Sequence, residues 1–185
     1  MGVKELMLDT ESRSGRIVYT KMLEVLDSPN RKRFDNPEKL LADSGMRPGQ
    51  TVLEIGCGSG FFTVPAARML GHDGHLYATD IHQIAIDETG KKVSRSQLAN
   101  VTVMKDNALQ SAFEDGMFDL ILLYGVVPSP VISMADISAE MYRLLKPDGV
   151  CAIWTKAVLW TPKAALLNTG FYGMEKAGSV FRLYK

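Results

Sequence analysis

The chain has 185 residues, of which 46% are hydrophobic, and its 21 basic side chains balance its 21 acidic ones. This size and composition predict one globular domain, and the zero net charge argues against binding nucleic acid through a strong overall field. No apolar run reaches the roughly 18 residues that a membrane-spanning helix needs, no signal-peptide pattern is visible, and two widely separated cysteines favour a reducing, cytoplasmic compartment over a structural disulfide.

The first predicted elements are helical. Residues 1–15 are polar and without pattern, which predicts a flexible N-terminus. Apolar residues from Arg16 to Asp27 recur at helical spacing. The sequence Asn36-Pro37-Glu38 is typical of a helix start, and Gly45 ends that short helix.

The basic run at residues 31–33 lies between these two helices. Such a run is most often a solvated surface patch and less often a contact to substrate or nucleic acid. We predict a single domain over residues 16–185, in which residues 16–45 form an N-terminal helical cap.

Strand-like and helix-like segments alternate after the cap. Apolar and β-branched runs predict strands at residues 51–55, 75–79, 101–104, 118–124 and 150–155. Helical spacing predicts helices between them, near residues 60–70, 83–98 and 131–145. Strands separated by helices imply right-handed βαβ units and a parallel sheet.

The C-terminal part has a different pattern. Thr161-Pro162 predicts the start of a last helix, and Gly170 follows its end. From Phe171 to Lys185, two short strand-like runs surround Ala177-Gly178 with no room for a crossover helix, which predicts an antiparallel hairpin. The predicted fold class is therefore α/β, with a doubly wound, mostly parallel sheet that ends in a C-terminal antiparallel hairpin.

The most informative segment is TVLEIGCGSG at residues 51–60. A predicted strand breaks there into glycines at alternate positions before a helix begins, which brings a ligand close to bare backbone. A dinucleotide-binding loop needs a third glycine where this chain has Phe61, and no phosphate-loop lysine follows. Glu54 precedes the loop, and its carboxylate repels phosphate and attracts a cationic amine. The segment predicts a nucleotide-like ligand with a positive head; a plain βα turn is the alternative.

The motif EIGCGSG resembles the first motif of the class I S-adenosylmethionine (SAM)-dependent methyltransferases. The stretch from Arg47 to His82 is similar to their first βαβ unit, and the segments FDLILLYGVV and RLLKPDGVCAIW are similar to their fourth strand, fifth helix and fifth strand. The resemblance covers residues 36–185. It implies a seven-stranded sheet, SAM as the cofactor and an activity like that of the small-molecule methyltransferases.

Ligands of open α/β sheets bind outside the carboxyl ends of the strands. Asp80 ends the second strand, where a carboxylate accepts hydrogen bonds from ribose hydroxyls; a helix N-cap is its alternative role. Ile81 would then face the adenine, with ordinary core packing as its alternative role. The resemblance implies that Asp106 meets the adenine amino group and that the next backbone amide meets a ring nitrogen. A plain turn aspartate is the alternative for Asp106. The predicted cofactor-binding residues are Glu54, Gly56, Cys57, Gly58, Ser59, Gly60, Asp80, Ile81, Asp106, Asn107, Ala108 and Tyr124.

The segment after the fourth strand is expected to line the methyl-transfer site. Residues 125–130 are apolar and rich in proline, which predicts an apolar wall, with Tyr124 and Ser129 as its hydroxyl-bearing side chains and Tyr19 as a further candidate contact. The segment lacks the amino-methylating signature of the resembled family and the histidine of many small-molecule members. No catalytic residue and no metal site is predicted, because transfer of an activated sulfonium methyl depends mainly on orientation and desolvation.

These observations predict a SAM-dependent methyltransferase with an unidentified small-molecule acceptor, uncharged or largely apolar at its reacting group. Nucleic acid and membrane are not expected partners. A second subunit is one way to complete a shallow acceptor pocket, so a homodimer is among the expectations. Three alternatives stay open: a module that binds SAM without transferring its methyl group, a methyltransferase acting on RNA or protein, and a nicotinamide-dependent oxidoreductase, which Phe61 and Glu54 disfavour.

Overall fold

The structure is a computed structural model that describes residues 12–28, 31–129, 132–157, 159–163 and 169–185. The helices are α1 (Arg13–Leu26), α2 (Arg31–Phe34), α3 (Pro37–Asp43), α4 (Thr63–Leu70), α5 (Gln83–Arg95) and α6 (Met134–Leu144). The strands are β1 (Thr51–Ile55), β2 (His75–Asp80), β3 (Val101–Lys105), β4 (Phe118–Tyr124), β5 (Leu145–Trp154), β6 (Gly173–Ala177) and β7 (Val180–Tyr184). Residues 1–11 of the predicted flexible N-terminus and residues 164–168 of the predicted last helix lie outside the described residues.

The strands form one seven-stranded sheet in the order β3-β2-β1-β4-β5-β7-β6. Neighbouring strands from β3 to β5 pair in parallel, and β7 pairs antiparallel with both β5 and β6. The predicted doubly wound, mostly parallel sheet with a C-terminal antiparallel hairpin is confirmed. The strand order reverses between β1 and β4, and open α/β sheets bind ligands outside the carboxyl ends of the strands at such a point.

The helix α1 begins three residues before its predicted start. The Ser12 side chain accepts a hydrogen bond from the amide of Gly15 at 3.0 Å, which caps the first turn. Residues 13–15, which the sequence assigned to the flexible N-terminus, are therefore helical. The division of residues 16–185 into one domain with a cap stays a prediction.

The strand β5 begins five residues before its predicted start. Its first residue, Leu145, pairs with Phe118, and the next pair joins Val150 to Leu120, so the pairing is interrupted over residues 146–149. This interruption coincides with the turn that the Lys-Pro-Asp-Gly sequence indicates, because proline cannot donate a ladder hydrogen bond.

Both faces of the sheet are covered by helices. One face of β1 and β4, including Leu53 and Ile121, packs with α6 in a fully buried cluster. The opposite face, including Val52 and Leu120, packs with α3 and α4. This arrangement explains why the central strands are apolar at nearly every position.

The helix α1 covers the ligand-binding end of the sheet. It packs against α5 through Tyr19, Leu23 and Ala85, and the Leu23 side chain approaches Gly58 of the glycine loop. The first helix of the predicted cap is therefore positioned by α5 and the loop. Among the described residues, no helix has both the length and the apolar character required to cross a membrane.

Candidate functional site

A cleft of about 320 Å³ lies at the carboxyl ends of β1, β2 and β4, where the strand order reverses. The glycine loop between β1 and α4 forms one wall, and the segments after β2 and β3 form a second wall. The segment after β4 lies across from them, and residues of α1 and α2 complete the lining. The position is the one that the topology predicts for a ligand.

The glycine loop turns sharply beside the cleft. All three of its glycines have positive φ, and a Cβ added to Gly56 would lie 2.7 Å from Cγ2 of Val126. A side chain at this position is therefore excluded both by conformation and by space. The amides of Gly56 and Cys57 donate to the carbonyl of Thr79 at 2.8 and 2.9 Å, which ties the loop to β2. Bare backbone thus forms part of the cleft wall.

Asp80, the last residue of β2, has a carboxylate that accepts hydrogen bonds from three donors. Its Oδ1 accepts from the amide of His82 at 2.9 Å and from the hydroxyl of Tyr19 at 3.1 Å. Its Oδ2 accepts from the amide of Gly58 at 3.1 Å and from the same hydroxyl at 3.0 Å. A carboxylate offers about four lone-pair positions. The single proton of the Tyr19 hydroxyl bridges both oxygens, so three donors hold Asp80, and a ligand that needs both oxygens competes with Tyr19.

Burial and hydrogen bonding act in opposite directions on Asp80. Burial raises the pKa of its carboxyl, whereas the three donors lower it. Tyr19 reaches this carboxyl from α1, and its ring stacks on His82 with centroids 3.7 Å apart. Burial, followed by the nearby Asp80, raises the pKa of the Tyr19 phenol, so its hydroxyl remains a donor.

Glu54 lies behind the glycine loop and outside the residues that line the cleft. It is 3% exposed, and its Oε2 accepts a hydrogen bond from the hydroxyl of Thr63 at 2.6 Å. Burial raises the pKa of Glu54 to about 8, the Thr63 hydrogen bond opposes this rise, and Asp80 adds to it. An acid with such a raised pKa ionises at lower pH when a positive charge approaches. Glu54 can therefore compensate a cation in the cleft.

Ser59 in the glycine loop has an unsatisfied hydroxyl. In the part of the chain that the structure describes, its Oγ is the one buried side-chain polar atom without a hydrogen-bond partner. Ser59 lines the cleft and is 5% exposed. Buried hydroxyls are nearly always hydrogen-bonded. A polar ligand in the cleft would supply the missing partner.

The turn after β3 is stabilised by its own side chains. Asp106 accepts hydrogen bonds from the hydroxyl of Ser111 at 2.6 Å and from the amide of Ala112 at 3.1 Å. Asn107 accepts from the amide of Leu109 at 3.1 Å. These are the contacts of a turn aspartate, the alternative role of Asp106. Lone pairs that remain on its carboxylate still allow it to accept from a ligand.

Tyr124 borders the cleft with its ring, but its hydroxyl points elsewhere. The hydroxyl donates to the carbonyl of Leu40 in α3 at 2.6 Å. The ring packs edge to face against Phe62, with centroids 4.9 Å apart. The Tyr124 hydroxyl, expected as one of the polar groups of the acceptor wall, therefore donates its proton to a carbonyl of the cap.

The segment after β4 presents alternate side chains to the cleft and to the core. Val126 lines the cleft, whereas Val127 is 1% exposed and belongs to the core cluster beneath α6. Ser129 and Ile132 also line the cleft, and the Ile132 amide donates to the Ser129 hydroxyl at 3.1 Å. Val126 and Ile132 give this wall its predicted apolar character.

Metal and thiol chemistry have no arranged site in the described residues. No group of three His, Cys, Asp or Glu side chains there is placed to hold a metal ion. Cys57 and Cys151 are both free and buried, and burial raises the pKa of each thiol.

Comparison with known proteins identifies the family. Residues 52–149 match the family model described as a methyltransferase domain. The chain belongs to this family of methyltransferases. A SAM-dependent methyltransferase from Aquifex aeolicus has the same fold, with a TM-score of 0.70 and 26% sequence identity over 89% of this chain and 96% of that chain. The predicted family is therefore confirmed.

The curated relatives are longer proteins. This chain is 27% identical over 147 residues to the demethylmenaquinone methyltransferase of Geobacillus sp. (strain WCH70). The aligned region covers 75% of this chain and 62% of that protein. It is 30% identical over 108 residues to the demethylmenaquinone methyltransferase of Listeria monocytogenes serotype 4a (strain HCC23). The aligned region covers 58% of this chain and 45% of that protein. The chain thus spans less than two thirds of the length of these relatives.

Ten of the twelve predicted cofactor-binding residues of the methyltransferase line the cleft; Glu54 and Gly60 do not. Gly60 lies against α5, where an added Cβ would be 3.3 Å from the Thr89 hydroxyl. The structure therefore brings together the ends of β1, β2, β3 and β4, as the topology predicts. Contact with a cofactor stays a prediction for all twelve residues.

The sequence did not indicate that Met22, Leu26 and Arg31 of the cap line the cleft. The sequence predicted that residues 16–45 cover the cofactor, but not which side chains of this cap border the cleft. Arg31 was assigned to a solvated basic run, whereas its side chain is 12% exposed. Its position depends on where α1 and α2 dock, and the local sequence carries no signal for that.

Proposed function

We propose that this chain transfers the methyl group of SAM to a small-molecule acceptor. The observation that carries the proposal is the polar end of the cleft, where Asp80 ends β2 beside the glycine loop and the unpartnered hydroxyl of Ser59. A ribose diol needs a carboxylate at this strand end. Membership of the methyltransferase family and the similarity to the Aquifex aeolicus enzyme support SAM as the ligand.

The residues of the cleft fit the parts of SAM. We assign Asp80 to the ribose hydroxyls, Ile81 to the adenine face, and Asp106 with the Asn107 amide to the adenine edge. Glu54 compensates the ammonium group from behind the loop. Because the Tyr19 hydroxyl bridges both oxygens of Asp80, two ribose hydroxyls would bind this carboxylate by replacing it.

The bound cofactor supplies a methyl group that its sulfonium already activates. The protein then has to bind, orient and desolvate the reactants. Met22, Leu26, Phe62, Val126 and Ile132 line the cleft with apolar groups. Such walls exclude water and accept an uncharged group, which supports an acceptor that is apolar around its reacting atom. No side chain is assigned as a general base.

A two-step experiment tests the proposal. Calorimetry first compares binding of SAM, S-adenosylhomocysteine (SAH) and NAD to the same protein. The methyl-labelled cofactor is then incubated with the enzyme and with metabolite, RNA and protein fractions, and a demethylmenaquinone is added as a defined acceptor because the curated relatives carry that name. We expect SAM and SAH to bind, NAD not to bind, and label to enter a small molecule.

Each other result contradicts a different part of the proposal. Label in RNA or protein would contradict the small-molecule acceptor. Binding without transfer to any fraction would favour a module that holds SAM, and binding of NAD alone would favour an oxidoreductase. We also infer a cytoplasmic location from the two free thiols. The homodimer stays a prediction, which light scattering of the purified protein would test.

A further inference from the structure

The guanidinium of Arg31 lies at the cleft and is held by three neighbours. Its Nε donates to Oδ2 of Asp35 at 3.2 Å, and its Nη1 donates to the carbonyl of Leu26 at 2.8 Å. Its Cζ lies 4.0 Å from the centre of the Phe61 ring, a cation–π geometry. Among the described residues none accepts a hydrogen bond from Nη2. One edge of the guanidinium fork therefore has capacity for a ligand.

The charge around Arg31 is not balanced. The Nζ of Lys156 lies 2.8 Å from the same Asp35 oxygen that accepts from Arg31, so two cations share one carboxylate. The Arg31 side chain is 12% exposed and that of Asp35 is 6% exposed, whereas that of Lys156 is 66% exposed. Solvent compensates the lysine but reaches little of the arginine. An anionic group in the cleft would supply the charge that Arg31 lacks.

Arg31 and Glu54 flank the same short segment. The guanidinium stacks on Phe61, and Thr63, two residues later, donates its hydroxyl to Glu54. A cation and an acid thus both contact residues at the start of α4, two positions apart in the chain. An α-amino acid carries its ammonium and carboxylate groups on one carbon atom, and a site for it has to offer both charges close together.

We propose that Arg31 binds the carboxylate of the amino-acid portion of the cofactor, while Glu54 compensates its ammonium group. The planar fork of arginine matches a carboxylate better than a lysine ammonium does. This inference rests on the proposed function, because it assumes that SAM or SAH occupies the cleft. It assigns Arg31 to cofactor specificity: the residue separates ligands that have the carboxylate from those that lack it.

The test compares two ligands on one set of variants. SAH and its decarboxylated analogue share the adenosine, the thioether and the amine, and differ only in the carboxylate. Calorimetry measures both on the wild type, Arg31→Met and Arg31→Lys. We expect Arg31→Met to weaken SAH binding by about tenfold or more, on the scale of a charge-assisted hydrogen bond, and to change the affinity of the analogue by less than about twofold. Arg31→Lys keeps the charge, so its affinity for SAH should lie between those of the wild type and Arg31→Met. It also serves as the test variant if Arg31→Met does not fold.

Lys156→Met is the matched control, because it removes the other cation on Asp35 and lies outside the cleft lining. It should leave both affinities unchanged. Equal losses of both ligands in Arg31→Met would mean that Arg31 only supports the fold, and an equal SAH loss in Lys156→Met would mean a general charge effect. Either result overturns the inference while the proposed function stands. A wild-type protein that binds neither ligand overturns both.

Discussion

The β2 side of the cleft, formed by the glycine loop, the end of β2 and the buried Glu54 behind them, is polar, and its carboxylates are hydrogen-bonded within the protein. The β4 side, formed by the segment after β4, presents apolar side chains. On the β2 side, Asp80 accepts from two amides and from the Tyr19 hydroxyl. On the β4 side, Val126 and Ile132 line the wall, and the Tyr124 hydroxyl donates away to α3. This difference supports the proposal that one side recognises the cofactor and the other accepts the methyl acceptor. Affinity and turnover should therefore respond to different substitutions.

We expect replacement of Asp80, on the β2 side, to cause the largest loss of cofactor affinity. Asp80→Asn removes the charge and replaces one acceptor oxygen by a donor, so the ribose hydroxyls and the loop amides lose a shared partner. We expect SAH binding to weaken by roughly 10–100-fold, the scale of hydrogen bonds to a charged group. Calorimetry measures it, with Asp87→Asn on the exposed face of α5 as the control. Equal binding of SAH and its 2′-deoxy analogue by the wild type would contradict the ribose assignment.

A charge on the β4 side should separate turnover from affinity. Val126→Asp places a carboxylate in the apolar wall, which draws water to the reacting groups. We expect methyl transfer to fall by about tenfold or more, since burying an unpaired polar group costs about 1–3 kcal/mol. SAH affinity should change by only a few fold. Both quantities are measured on one preparation, with an acceptor identified by the labelling screen.

Val127→Ala is the control for that loop. Its side chain lies in the core beneath α6, so we expect a lower melting temperature with nearly unchanged turnover. If Val126→Asp loses affinity and turnover equally, the loop belongs to the cofactor side and the comparison between the two sides is wrong.

Glu54 should make the β2 side sensitive to pH. Its pKa is raised from 4.5 to about 8 by burial, so the folded protein holds a proton that the unfolded chain releases between those values. This contribution to stability is complete below pH 4.5 and is lost as pH rises to about 8. Glu54→Gln does not titrate, so it lacks this decrease in stability with rising pH. We expect its free energy of unfolding at pH 8 to exceed that of the wild type by on the order of 1–3 kcal/mol.

Thermal unfolding at pH 5 and pH 8 measures that difference, which should nearly vanish at pH 5. Glu140→Gln on α6 is the control with the opposite sign, because Arg143 lowers the pKa of Glu140. The more stable Glu54→Gln protein should bind SAM more weakly, because it cannot ionise to compensate a cation. Unchanged stability and unchanged affinity together would remove Glu54 from the site.

Tyr19→Phe should produce the smallest effect and sharpen the account of the β2 side. It leaves the ring on His82 but frees the Asp80 lone pairs that the hydroxyl occupies. Since a net hydrogen bond contributes about 0.5–1.5 kcal/mol, we expect SAH to bind about two- to tenfold more tightly. Tyr142→Phe on α6 is the matched control. Weaker binding by Tyr19→Phe would show that the hydroxyl contacts the ligand instead of competing with it.

The strands and the glycine loop were predictable because their signals are local. The run at residues 51–60 combines a buried strand with glycines that require positive φ, and Asp80 follows from the length of one helix and one strand. The neighbouring order of the strand ends then follows from the topology of parallel sheets. The sequence therefore located the glycine-loop wall of the cleft, and cofactor contact there stays a prediction.

Side-chain directions at the edges of the cleft were not predictable, since they depend on distant partners. The Tyr124 hydroxyl finds a carbonyl 84 residues away in α3. After β4, Gly125 takes a φ of 77°, so the alternation of the strand no longer tells which of Val126 and Val127 faces the cleft. The position of Arg31 depends on how α1 and α2 dock, and the local sequence pattern does not predict that contact.

The thiol of Cys57 gives the molecule a built-in chemical reporter. It borders the cleft and is 4% exposed, whereas Cys151 in β5 has no exposed surface. Because burial raises the pKa of both thiols, alkylating reagents meet little thiolate in the closed protein. Leu23 and Leu26 of α1 lie beside the neighbouring Gly58, so we expect movement of α1 to speed alkylation of Cys57, whereas alkylation of Cys151 should require unfolding. The rate of alkylation at Cys57 would then report this movement without any added label.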